Sequence, residues 1–282
     1  MSEKWKMPSP DEILAVIDEW RRLNLASKNK EQVQAEFERV FSKILGVFQG
    51  ETTTGGFTTF FRIREFDYLI GHVDELWAPP SNKTKKGRCN FEQEPVLYVS
   101  ADGANCFEEL NIQLEQQVYF IRYNKKVGSL LLRSVYGTDW DAIGLGKDVF
   151  CTDNDVISYK ILREFLRSEF MKPTCRNCDG RDSIYNVTAS IAGVLRRKQN
   201  VDGFIYRSAL NLSSDNVALF PDAARNKLEL KDVRILKVVS GSADEVVYET
   251  LFNGFPDDKG KVRWSSCSGS GSFRRISSES RL

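Results

Sequence analysis

The stretch "KGRCNFEQEPVLYVSADGANCFEELN", Lys86 to Asn111, decides how this chain reads. It passes from a basic turn into a short apolar strand, "PVLYVS", and then into a helix through "GANCFEELNIQL". Asp102 stands where an N-cap is wanted, before the first helical residues. The passage puts Arg88 in the turn, Tyr98 near the strand end and Glu109 on the helix. An arginine, an aromatic ring and a carboxylate at that spacing can grip an anionic nucleotide and act on its sugar.

Working outward, "FTTFFRIREF" (Phe57–Phe66) is rich in β-branched and aromatic residues, with charges alternating at Arg62 and Arg64, and predicts a strand. "WAPPSNKTKKGR" is a Pro- and Lys-rich loop. Further strands are expected at 118–123, 128–135, 204–206, 217–220, 233–239 and 246–252. "DNDVISYKILREFLRSEFM" reads as a helix capped near Asp153, with Ile157, Ile161, Leu162, Phe165 and Leu166 inward. "DSIYNVTASIAGVLRRKQ" reads as another, capped at Asp182. The irregular order of strands and helices predicts an α+β fold rather than a doubly wound sheet. No Gly-rich dinucleotide fingerprint or P-loop follows any strand.

Residues 1–50 read as a helical hairpin. Ser9-Pro10-Asp11-Glu12 is a capping box, and Ile13, Val16, Ile17, Trp20 and Leu23 recur on one face. Val33, Phe37, Val40, Phe41, Ile44 and Phe48 form a second stripe with Gly50 as its stop. The stripe is read as a packing face, with a partner-binding hairpin as the alternative. Residues 51–255 are expected to form the main domain. Residues 256–282, ending "SSCSGSGSFRRISSESRL", are expected to be a disordered Ser/Gly/Arg tail.

Composition narrows the function classes. The chain has 282 residues, 41% hydrophobic and 28% charged, as globular proteins do. A net charge of +1 lacks the basic excess of a duplex-DNA binder, so no direct nucleic-acid binding is expected. No apolar run approaches the roughly 18–20 residues of a membrane span, and "MSEKWKMPSPDE" has no secretory apolar core. A cytoplasmic, non-membrane protein is expected. Six cysteines include Cys175-Arg-Asn-Cys178, half of a zinc site, but His72 is the single histidine and no metal is expected. Dependence on that one histidine also argues against a Ser-His or Cys-His mechanism.

Far downstream, "DGFIYRSALNLSSDNVALF" (Asp202–Phe220) supplies Ser208 and Asn216 between two short apolar strands. The ordered set resembles the RES (Arg-Glu-Ser) family, bacterial toxins that consume NAD. The resemblance rests on "FFRIRE" with Arg62 and Arg64, on "WAPP" and Gly87-Arg88-Cys89-Asn90, on "PVLYVSAD" with Tyr98, and on "DGFIYRS" followed by Asn216-x-x-Leu-Phe. It spans roughly residues 57–240. It implies an ADP-ribosyltransferase-like β core with surrounding helices. It also implies cleavage of NAD at the nicotinamide–ribose bond, by hydrolysis or phosphorolysis, with transfer of ADP-ribose to a protein as the alternative. A non-catalytic nucleotide- or partner-binding module is the reading from another class.

By the same resemblance, Arg62 (or Arg64) and Arg88 would hold the pyrophosphate or ribose, and Tyr98 would pack on the nicotinamide side. Glu109, preferred over Glu108 by its spacing from Tyr98, would stabilise the developing oxocarbenium. Ser208 and Asn216 would hydrogen-bond the ribose or the nicotinamide amide. A cognate antitoxin is the expected partner, or else self-control by the N-terminal hairpin. Cys89, Arg207 and "SSD" depart from the residues usual in the family and bear on the shape of the pocket.

Overall fold

The computed structural model describes residues 7–44, 52–53, 57–110, 112–135, 152–172, 180–198, 200–209, 214–241 and 245–274, with only the backbone at 52–53, 109–110 and 180–183. The protein is α+β, as its irregular element order predicts. Its chain divides into two compact units, each assembled from separate stretches of sequence.

The first unit takes in Met1–Thr53, Lys85–Glu94 and Leu132–Tyr206. Helix α1 (Pro10–Arg22) starts at the expected capping box, where Ser9 Oγ accepts from the Glu12 N–H and the Glu12 carboxylate accepts from the Ser9 N–H. Helix α2 (Lys30–Val40) repeats the device with Asn29 and Gln32. Trp20, Phe37 and Phe41 meet between them, and Phe41 stacks at 5.2 Å on Phe165 of α4 (Asp153–Phe170). Each such ring contributes roughly 2–3 kcal/mol by its burial.

The hairpin therefore shares its core with α4. Asn186 of α5 (Gly180–Lys198) donates to the Lys28 carbonyl, Arg197 to Gln34 and Glu38, and Ser158 of α4 to the Pro8 carbonyl. The N-cap of α4 is Thr152, one residue before the expected Asp153. Its buried side carries Ser158, Tyr159, Leu162, Phe165 and Leu166. Ile157, expected inward, is 47% exposed, because Ser158 occupies the inward position beside it. Strands β1 (Thr52–Thr53) and β5 (Leu132–Ser134) pair antiparallel, and β5 runs parallel to β6 (Gly203–Arg207).

The second unit takes in Thr54–Thr84, Pro95–Leu131 and Arg207–Leu282. Its strands are β2 (Thr59–Glu65), β3 (Leu97–Ser100), β4 (Gln117–Lys125), β7 (Asp215–Leu219), β8 (Leu228–Gly241), β9 (Glu245–Pro256) and β10 (Val262–Arg274). They lie antiparallel in the order β7-β3-β2-β4-β8-β9-β10. Helices α3 (Gly103–Leu110) and α6 (Pro221–Lys227) belong to the same unit.

In β4 the consecutive residues Val118, Tyr119, Phe120 and Ile121 are all buried, so both faces of the central strands are covered. On one face Ile63, Val118 and Phe120 pack with Phe107 of α3, Leu236, Val238 and Tyr248. On the other, Tyr119 and Tyr123 give their hydroxyl protons to the Tyr68 and Leu76 carbonyls.

Residues 262–274, expected to be disordered, form β10, which pairs with β9 from Val262 to Arg274 with one register shift between Ser266 and Gly269. The glycines that suggest a flexible tail make room for rings instead. Gly271 pairs with Tyr248, and a Cβ on it would meet the Tyr248 hydroxyl at 2.7 Å. Phe273 lies 4.9 Å from the Tyr248 ring and 4.8 Å from Phe120. The remainder of the expected tail, 275–282, and the Cys175/Cys178 pair lie outside the described residues.

Candidate functional site

The sheet opens where the sequence motifs meet it. β3 pairs with β7 along its whole length, and β2 pairs with β4 over seven positions. Between β2 and β3, Phe61↔Ser100 is the single registered pair among the described residues. The sheet is therefore joined there at one point and opens towards Glu65 and Leu97. Paired residues share a face, and faces alternate along each strand. Asn216, Ser100 and Phe61 thus form one row, and Tyr98 lies on their face. Arg62 and Arg64 alternate to the face of Tyr119 and Tyr123. The expected site residues of this unit stand on both lips of the opening rather than on one wall.

On the arginine lip the guanidinium groups are engaged with main chain. Arg62 donates to the Trp77 carbonyl at 2.7 Å, and Arg64 to the Glu75 carbonyl at 2.5 Å. Burial pulls the Arg62 pKa below the ordinary arginine value, and Arg64 adds repulsion, while the Tyr123 phenol works the other way. Arg225 lies over the Trp77 ring at 4.8 Å and pairs with Asp74 at 2.7 Å.

On the other lip a buried polar network joins the start of α3 to β3 and β7. Asp102 accepts from the Ala104 N–H at 2.9 Å, as an N-cap should, and from the Ser214 hydroxyl at 3.1 Å. The Ser100 hydroxyl donates to the Asp215 carbonyl at 3.2 Å and accepts from the Asp102 N–H at 3.2 Å. Asn105, fully buried, donates from Nδ2 to Ser100 Oγ at 3.1 Å and to Asn216 Oδ1 at 3.0 Å. Its own Oδ1 is buried with no hydrogen-bond partner. Such an orphan costs on the order of 1–3 kcal/mol.

Ser208 is fully buried at the end of β6, and its N–H donates to the Ser214 carbonyl at 3.0 Å. That bond lies two residues before Asn216. Next to it, Arg207 pairs with Asp215 at 3.2 Å. Tyr98 is half-buried, as is Glu108. Glu109 lies in the last turn of α3, four residues on from Asn105; its side chain is outside the description.

Arg88 belongs to the first unit. It donates to the Phe170 and Lys172 carbonyls at 2.6 and 2.9 Å, placing a cation at the C-terminal end of the α4 dipole. The Tyr185 ring lies 5.8 Å away. The neighbouring Cys89 thiol is buried, and burial pushes its pKa up.

Two features of this unit escape sequence reasoning. One is the set Asp102, Ser100, Asn105 and Ser214: polar residues around a helix start read as solvated caps, and only the β3–β7 register brings them together, with Ser100, Asn105 and Ser214 buried and Asp102 half-buried. The other continues the Asn216–Ser100–Phe61 row through Arg122 to Asp232. Asp232 is buried and receives Arg122 and Arg234, from Arg122 Nε at 2.7 Å and Arg234 Nε at 3.2 Å. Among the described residues no group of His, Cys, Asp and Glu could hold a metal ion, and no helix is long and apolar enough to cross a membrane.

No family model matches the chain, and no curated protein matches it in sequence. A solved structure that overlaps it is a chain from the crystal structure of the M. tuberculosis MbcT–MbcA toxin–antitoxin complex. The overlap has a TM-score of 0.34 and 16% identity, covering 64% of this chain and 84% of that one. A likeness so slight carries no weight for function.

Proposed function

We propose that this protein is a RES-type enzyme that cleaves NAD at the nicotinamide–ribose bond, and acts as a cytoplasmic toxin held by a cognate antitoxin. The observation that supports the reading is that Tyr98 shares a face with Asn216, distant in sequence, across the β3–β7 pairing, that the Ser208 N–H bonds the Ser214 carbonyl two residues before Asn216, and that α3, which carries Glu109, follows directly on β3. In this reading Tyr98 packs against the nicotinamide or its ribose. Ser208 and Asn216 hydrogen-bond the ribose or the carboxamide. The bond from the ribose anomeric carbon to the ring nitrogen breaks, and its electron pair leaves with nicotinamide. Glu109 stabilises the cationic sugar and orients water or phosphate, whose oxygen forms the new bond as its proton passes to the carboxylate or to solvent. Electrostatic stabilisation of that cation is the largest contribution expected of the protein.

Arg62, Arg64 and Arg88 are the cations of the proposal. Each already gives one or two of its five N–H donors to main-chain carbonyls, which leaves donors for a phosphate. The same engagement favours a second reading, a nucleotide- or partner-binding module in which the arginines are structural.

One assay separates these. Purified protein is incubated with NAD, with and without phosphate, and with a lysate as acceptor. Release of nicotinamide without labelled protein supports hydrolysis or phosphorolysis, and labelled protein supports ADP-ribosyl transfer. Glu109→Ala is expected to lose about 100- to 1,000-fold in kcat. Turnover by Glu109→Ala at the wild-type rate ends the carboxylate assignment. A wild type that releases no nicotinamide leaves the binding module.

A further inference from the structure

The face of the sheet that carries Tyr98 also holds two arginines that share one carboxylate. β3 meets β2 at Ser100↔Phe61, and the row continues from Phe61 to Arg122 on β4 and Asp232 on β8. Paired residues share a face and alternate residues return to it, so Tyr98, Arg122, Asp232 and Arg234 stand on one side of the sheet. Arg62 and Arg64 alternate to the other side. Asp232 is buried, and its Oδ2 accepts from Arg122 Nε at 2.7 Å and also contacts Arg122 Nη2. Its Oδ1 accepts from Arg234 Nε at 3.2 Å. One arginine neutralises one carboxylate, so the trio keeps a net positive charge. The Arg122 and Arg234 side chains are 42% and 33% exposed. Nη1 of Arg122 and both Nη groups of Arg234 are left to donate to an anion.

An exposed ring lies on the same face. Arg234 pairs with Asn253 and Val233 with Gly254. Continuing that register by one residue sets Phe255 beside Asp232, and Phe255 is 52% exposed. Along β8 the Glu229 carboxylate is already paired with Lys231 at 2.8 Å. We propose that Arg122, Arg234 and Phe255 form a subsite for an adenosine diphosphate group, as carried by NAD. The two guanidinium groups take the pyrophosphate and Phe255 stacks on the adenine. The choice of NAD rests on the cleavage reading proposed above. Neighbouring strands lie about 4.8 Å apart, so Arg122 on β4 is at least about 10 Å across the sheet from Tyr98 on β3, and Phe255 on β9 is about 10 Å beyond Arg122. Ring, cations and ring follow in the order of nicotinamide, pyrophosphate and adenine, with a ribose in each interval. Planar guanidinium forks grip phosphate oxygens in pairs, and Asp232 holds both forks in place.

Calorimetric titration with ADP tests this on wild type, Arg122→Gln, Arg234→Gln and Phe255→Ala, with thermal melts confirming that each is folded. Each arginine variant leaves Asp232 one arginine, and Phe255 is exposed, so the fold is expected to hold. Each arginine variant should weaken ADP binding by about tenfold or more, as for hydrogen bonds to a charged group. Phe255→Ala should weaken it by about fivefold or more, the lower range for a base stacked on a ring. The same losses should reappear in kcat/KM for NAD. A wild type that binds no ADP overturns the proposal, as does any of the three variants binding it within about twofold of wild type. Should an arginine variant fail to fold, Phe255→Ala decides by the same threshold. If NAD is cleaved and ADP affinity ignores these residues, the subsite fails and the cleavage reading stands. If ADP binds through them and no nicotinamide is released, the cleavage reading fails and the nucleotide subsite stands.

Discussion

Replacing Arg62 with alanine and, separately, with methionine separates two things its guanidinium could contribute. Arg62 donates to the Trp77 carbonyl at 2.7 Å from a half-buried position on β2. Alanine removes that bond, worth about 1.5–3 kcal/mol when one partner is charged, and also removes the packing of the stem. The expected cost is about 3 kcal/mol. Methionine removes the same bond but refills the stem's volume and abolishes the desolvation of a cation, which is what pulls the Arg62 pKa down. Its expected cost is about 1 kcal/mol. At about 2–4 °C per kcal/mol, alanine should lower the melting midpoint by about 6–12 °C and methionine by about 2–4 °C. Circular dichroism melts provide the comparison. Equal midpoints for the two variants would refute the desolvation reasoning. NAD turnover on the folded methionine variant then separates the roles, since a phosphate-holding Arg62 predicts a well-folded but slow enzyme and a structural Arg62 predicts wild-type turnover.

Two pH effects follow from groups outside the proposed site. Burial raises the Cys89 pKa above its ordinary value of 9.0, so the folded state holds its proton where the unfolded state releases it. Stability from this source is full below about pH 9 and falls above it, by about 1.4 kcal/mol per pH unit while only the unfolded thiol is ionised; Cys89→Ala should flatten the alkaline limb of a pH–melting curve, and an unchanged limb would count against it. Asp257 has its pKa lowered, first by the Lys261 N–H it accepts and then by Arg263 and Lys259, so its contribution is present above its ordinary 3.8 and is lost as pH falls through the lower folded value. Amide exchange at Lys261 and Lys259 should accelerate in acid relative to mid-strand β10 amides, after correction for intrinsic rates; parallel behaviour would show that the carboxylate does not hold the turn.

How much of this was legible in the sequence depended on whether the signal was local. The Ser9–Glu12 capping box, the alternation of "TFFRIRE" and the apolar run at 118–121 report on their own neighbours, and each became the element it predicted. The Ser/Gly run at 262–274 misled because its glycines answer to Tyr248 and Phe273 across strands, which composition cannot express. Ile157 misled because helical spacing gives the period of the buried stripe more firmly than its phase. For the site, Tyr98 and Asn216 could be named from the sequence. Their adjacency depends on the β3–β7 register, and Asn105 becomes visible only through it.

Two buried polar clusters lie along the same row of the sheet, and they differ in how their hydrogen bonds are satisfied. Asp232 receives two arginines whose heads reach solvent, a closed arrangement that ties β4 to β8 beside the register shift between Arg122 and Tyr123. The Asn105 cluster is not closed in that way. It joins α3 to β3 and β7 through Ser100, Asn105 and Asn216 and leaves one fully buried acceptor, Asn105 Oδ1, without a donor. An apolar residue at 105 would remove the orphan and pack against the same strands, so stability alone gives no reason for an asparagine. A hydrogen-bonded joint that sets where α3 sits against β3 and β7 does give one, because a leucine there would make neither the bond to Ser100 nor the bond to Asn216.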